Sequence, residues 1–170
     1  MSSATDLLLD GLSRVQETVH AVLDGADEAV LTARLDPDAN TIAWLVWHLT
    51  RVQDDHVAEV AGTEQRWTAG GWSERFGLPF PAAAHGYGHT SADVAAVRGV
   101  SAADLAAYYD DVHAATEAYL HALSDDDLSR VVDTRWDPPV TLAVRLVSVI
   151  NDDTQHAGQA AFVRGVLDRR

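Results

Sequence analysis

Cysteine is absent from the 170 residues. That excludes disulfides, a protein thiolate as nucleophile and cysteine-bound zinc, so any metal must sit on His, Asp or Glu. Lysine is absent as well, and the basic side chains are twelve arginines set against 26 acidic residues. The net charge of −14 and a pI near 4.7 repel phosphate backbones, and no nucleic-acid partner is expected. No apolar run approaches the roughly 18 residues of a membrane span, and the N-terminus lacks the pattern of a cleavable leader. A cytoplasmic protein that does not enter a membrane is the expectation. Its length suits one domain, residues 1–170, large enough to bury a core.

What is present is mostly helical periodicity. Ser3 or Thr5 can cap a first helix carrying Leu8, Leu12, Val15, Val19 and Val22, which Asp24-Gly25 ends. Asn40 or Thr41 starts a second helix whose first two turns, Thr41 to Leu49, are apolar on every side, so it should be central in the core. Ser101 caps a third, Ala102 to Leu123, and Thr141 begins a fourth that runs from Leu142 to Leu167. Between the second and third lies a stretch rich in glycine and aromatics, residues 62 to 100, too long for an ordinary connection. Segment Asp133 to Pro139 reads as an extended linker, and no strand pattern competes. The expected architecture is all-α: an antiparallel four-helix bundle with a long crossover between helices two and three.

Polar groups on these apolar faces carry the chemistry. Asp152 and His156 lie four residues apart on the last helix and share a face. An acid and an imidazole there are costly to desolvate unless something binds them, either each other or a metal. A metal needs at least three protein ligands. His48, the one ionisable group in the first turns of the second helix, supplies the third, giving two histidines and a carboxylate. Asp153 is the alternative carboxylate, but its side of the helix is shared with Ile150 and Ala157. Asp55, seven residues after His48, can support that histidine, and Gln159, three after His156, can orient a ligand or water. Arg145, seven before Asp152, can meet an acidic substrate group; Arg164 and Tyr87 are weaker candidates. Asp54, His56 and Glu59 are expected on the exposed side, as are His113 and His121. His85-Gly86-Tyr87-Gly88-His89 reads as a turn, not as further ligands.

Trp47-His48-Leu49 on one helix with Asp152, His156, Gly158 and Gln159 on another resembles the DinB-like metal-binding four-helix-bundle superfamily. The likeness is closest to its mycothiol S-transferase branch and takes in Gly86-Tyr87-Gly88-His89, Trp136-Asp137-Pro138-Pro139 and Phe162-Val163-Arg164-Gly165. The superfamily typically has three histidine ligands, so Asp152 is a departure. The resemblance implies a divalent metal on His48, Asp152 and His156, zinc in the first place, with nickel or iron as alternatives. It implies transfer of a low-molecular-weight thiol, mycothiol by the resemblance alone, to an electrophilic small molecule. A metal-dependent hydrolase and a non-catalytic metal- or ligand-binding bundle are the competing readings. The apolar first helix permits a homodimer.

Overall fold

The computed structural model describes residues 3–170. Four long helices dominate: α1 (Ala4–Leu23), α3 (Ile42–Ala61), α7 (Ala102–His121) and α8 (Leu142–Leu167). Short helices α2 (Glu28–Thr32), α4 (Arg66–Ala69), α5 (Trp72–Phe76) and α6 (Ser91–Ala96) occupy the connections. Each long helix starts on a hydroxyl that accepts an otherwise orphaned backbone N–H: Ser3, Thr41, Ser101 and Thr141. This is an all-α bundle of the DinB-like kind.

Long-range contacts fix the directions. Leu45 meets Gln159 and Val163 at one end of the α3–α8 seam while Arg145 meets Glu59 at the other, so these helices are antiparallel. Helix α1 is antiparallel to α7, since Ala4 bonds Asp125 and His20 bonds Asp110. It is parallel to α8: Gly11 faces Ile150, and Arg164 donates to the Val22 carbonyl. Helices α3 and α7 are also parallel, from the Asp54–Tyr108 bond to the Tyr119–Val60 bond. The four-helix bundle with a long crossover between its second and third helices, expected from the sequence, is present, with two antiparallel and two parallel neighbour pairs. Parallel neighbours explain the crossover: after a 20-residue helix the chain must travel back about 30 Å before starting the next one.

The crossover also covers the third side of α3. Trp67, Phe76, Val94, Val97 and Val100 join the core against it, so that every residue from Ile42 to Asp54 is buried. An all-round apolar helix is what that position requires. Asp54 is a correction to the sequence reading. It is buried, not exposed, and its carboxylate accepts from the Arg66 and Trp67 backbone N–H groups and the Tyr108 hydroxyl. Arg51 is buried beside it and donates to the Ala84 carbonyl. A polar cluster thus pins the crossover to α3. His113 is likewise corrected from exposed to buried, stacked on Tyr109. His56 is half-buried, while Glu59 and His121 are exposed as expected.

The expected linker, Asp133 to Pro139, connects two short strands that the sequence reading did not anticipate, an antiparallel ribbon of β1 (Val131–Asp133) with β2 (Val140–Thr141). Two residues of pairing leave too little alternation for a pattern reading to find. Among the described residues, no helix is long and apolar enough to cross a membrane.

Candidate metal centre

His48 on α3 and Asp152 and His156 on α8 converge where these two helices touch. One ligand atom from each lies within 4.8 Å of the others, and the two imidazole rings are 4.7 Å apart, edge to face. The orientation of each ring is set from behind. His48 Nδ1 donates to the backbone carbonyl of His85, and His156 Nδ1 donates to Gln159 Oε1 at 3.0 Å. Both rings are therefore held as the tautomer whose Nε2 lone pair is free. His156 Nε2 lies 3.7 Å from Asp152 Oδ1. Trp44, one turn before His48, stacks on its ring at 4.7 Å and presents an edge to His156, walling the site from the core.

The His85 carbonyl reaches His48 because of Gly86. Its φ of +98° is a left-handed conformation that L side chains rarely adopt. A Cβ placed there would lie 2.5 Å from His48 Nδ1. Just beyond, His89 Nδ1 accepts from Trp44 Nε1 and its ring stacks on Trp47. The 85–89 segment is a turn, as expected, closed by a bond from His89 N–H to the Gly86 carbonyl. It contributes no ligand side chain to the cluster. Its backbone support of His48 was not anticipated; the two glycines flanking Tyr87 were the available signal.

The three side chains suit a cation. Asp152 Oδ2 is buried and has no hydrogen-bond partner, a costly state that a positive ion relieves. Donor atoms around a four-coordinate ion with bonds of about 2.1 Å lie roughly 3.4 Å apart, so side-chain rotations closing the widest gap by up to about 1.4 Å would complete it. Burial is the main influence lowering His48 below the usual imidazole range, which favours the neutral, ligating form. Three protein groups leave a coordination position open, and the Asp152 side chain is 36% exposed, giving access from solvent.

The remaining candidates sort by contact. Asp153 points away from the cluster; it is wholly buried with both oxygens unpartnered, and burial followed by the neighbouring Asp152 charge pushes its pKa far up. Gln159 supports His156 as expected. Asp55 does not support His48, whose Nδ1 is already taken by His85; it accepts from Gln65 instead. Arg145 is buried at the far end of the seam, paired with Glu59 and Asp133 and donating to His56 Nδ1, so it is not free for a substrate. Arg164 ties α8 to the Val22 and Asp24 carbonyls, a packing role. Tyr87 is 88% exposed at the turn that supports His48.

A bundle whose two antiparallel helices bring a His–Asp–His set together belongs to the class of DinB-like proteins with a candidate metal centre. Within it, the chain belongs to the mycothiol-S-transferase family, whose profile matches residues 7–169. A crystal structure described as a conserved protein from Enterococcus faecalis is 30% identical, with a TM-score of 0.92 and full coverage of both chains. No curated protein matches.

Proposed function

We propose that this protein is a metal-dependent thiol S-transferase joining a low-molecular-weight thiol, mycothiol in the first instance, to an electrophilic small molecule. The carrying observation is the pair of imidazoles held through Nδ1, with one ligand atom from each of His48, Asp152 and His156 within 4.8 Å of the others. Family membership supports the thiol chemistry. His48, Asp152 and His156 would hold the ion, zinc being the natural guest of a nitrogen- and oxygen-donor set. When bound, it would supply a Lewis acid favouring the thiolate form of the incoming thiol.

The chain's own residues do the rest. His85 and Gln159 fix the ligand rings, and Trp44 excludes water on the core side. The single carboxylate lets two neutral imidazoles and one negative charge face a divalent ion, leaving net positive charge to attract a thiolate. In the reaction the sulfur forms a carbon–sulfur bond, the leaving group departs with its electron pair, and the thiol proton is released to solvent.

The test combines elemental analysis of untreated protein with conjugation of mycothiol to monobromobimane, with and without chelator. Near-stoichiometric zinc and chelator-sensitive conjugation that is lost in His48→Ala are expected. Conjugation unaffected by either chelator or that substitution overturns the proposal. The non-catalytic reading would instead show bound metal and no conjugation with any thiol.

A further inference from the structure

The α3–α8 seam continues past the metal centre into an open cleft of about 640 Å³. It runs beside the candidate centre on α8, from Gln155 to Val163, and meets α3 at Leu45, three residues before His48; His48, Asp152 and His156 themselves do not line it. Gln159 lines the cleft and also supports the His156 ring, so the two sites share a side chain. The apolar surfaces are Leu35, Leu45, Val163 and Phe162, the last 66% exposed. The rim carries two exposed carboxylates, Asp36 and Asp38. Arg34, the cation of this loop, is committed to the Pro37 carbonyl and Ser91 and does not line the cleft.

Gly158 gives the cleft its meaning. Glycine inside a helix is destabilising by roughly 0.5–1 kcal/mol relative to alanine, and a packing neighbour usually explains it. Here a Cβ would meet nothing within 4 Å. No other part of the protein requires the missing side chain, and it faces the cleft. A helix that forgoes stability to leave room beside Gln159 is shaped for something other than itself.

We infer that this cleft seats the electrophile, and that it selects apolar molecules bearing a cationic substituent over those bearing an anionic one. The inference rests on the transferase reading for the word electrophile, though not for the existence of the binding site. The apolar walls would bury the ring or chain of the substrate, the Asp36 and Asp38 carboxylates would face its charged substituent, and Gln159 would mark the end nearest the centre.

Three para-substituted benzyl alcohols serve as unreactive probes: methyl, trimethylammoniomethyl and carboxylate. Their binding to metal-free protein is followed by ligand-observed NMR, and the matching benzyl bromides are used for conjugation. The cationic alcohol should bind about 2–5-fold more tightly than the carboxylate at low salt, because exposed charges are well screened. Gly158→Leu should weaken all three by about tenfold or more by filling the space, and Phe162→Ala by about 5–10-fold through lost apolar burial. Gly158→Ala should raise Tm by about 2–4 °C while weakening binding, a combination that a purely structural glycine would not produce.

The inference is overturned if Gly158→Leu, folded and with wild-type zinc content, binds and conjugates as the parent does. It is also overturned if the carboxylate probe is preferred. Probes displaced by Gly158→Leu, with no conjugation by any thiol, would uphold the cleft and remove the transferase reading. Conjugation that persists in Gly158→Leu at unchanged KM would do the reverse.

Discussion

At the level of single residues, the candidate centre depends on groups that hold its two histidine rings from behind. Gln159→Ala removes the acceptor for His156 Nδ1–H and frees the ring to rotate. Loss of such a support costs about 10–100-fold in metal affinity, to be read by competition with a chromogenic chelator. Gly86→Ala should do at least as much, because the new methyl lies against His48 Nδ1 on a backbone that disfavours it; an affinity equal to the parent's would show that the turn does not position His48. The clustering of His48, Asp152 and His156 was legible in the sequence, since ionisable groups on an apolar helical face are conspicuous. Asp152 was separable from Asp153 by helical position alone. The supports were less so. Asp55 was expected behind His48 because helix spacing places it there, but a backbone carbonyl from residue 85 arrives from outside the helix, and no periodicity encodes that. Arg145 shows the same limit: its partners Glu59 and Asp133 lie on other elements.

Among elements, the crossover is held by polar anchors as well as by apolar contact. Asp54 receives four hydrogen bonds, two from the backbone at the start of α4 and one each from Tyr108 and Arg51. Asp54→Ala would strand a buried guanidinium and two N–H groups, a change expected to cost about 3–5 kcal/mol in chemical denaturation. A loss below about 1 kcal/mol would show that the anchor contributes little. The four long helices were readable with their ends nearly in place, because capping residues and apolar stripes are local signals. Direction was not. Whether neighbouring helices run parallel or antiparallel depends on where a long connection lands, and residues 62–101 record that only through contacts such as Asp54 with Arg66. The exposure assigned to Asp54 from its acidity failed for the same reason.

For the molecule as a whole, buried histidines make part of the stability depend on pH. An unfolded imidazole titrates near 6.5. In the folded protein His56 and His113 both titrate lower, chiefly because burial penalises their charged forms. Between the two values the unfolded chain binds more protons, so their contribution to stability is complete above about pH 6.5 and drains away as pH falls through the folded pKa. Asp54 and Asp153, raised by burial, act in the opposite sense, so the test is differential: the Tm difference between the parent and His113→Gln in metal-free protein should hold steady from pH 8 to 7 and shrink below about 6.5. Zinc should act on the same quantity from the other side. At a free concentration a thousandfold above Kd it adds about 4 kcal/mol, or roughly 8–16 °C of Tm for a chain of this size. Added zinc that leaves Tm unmoved in the parent would count against a native site.

His48 sits in the first half of the polypeptide and Asp152 and His156 near its end, with the crossover, α7 and the ribbon strung between them. An ion gripping all three would clasp distant stretches of chain as a buckle closes a belt. Once it is fastened, a protease nick anywhere in the intervening crossover should leave two fragments that still travel together, and stripping the ion should make them easier to part.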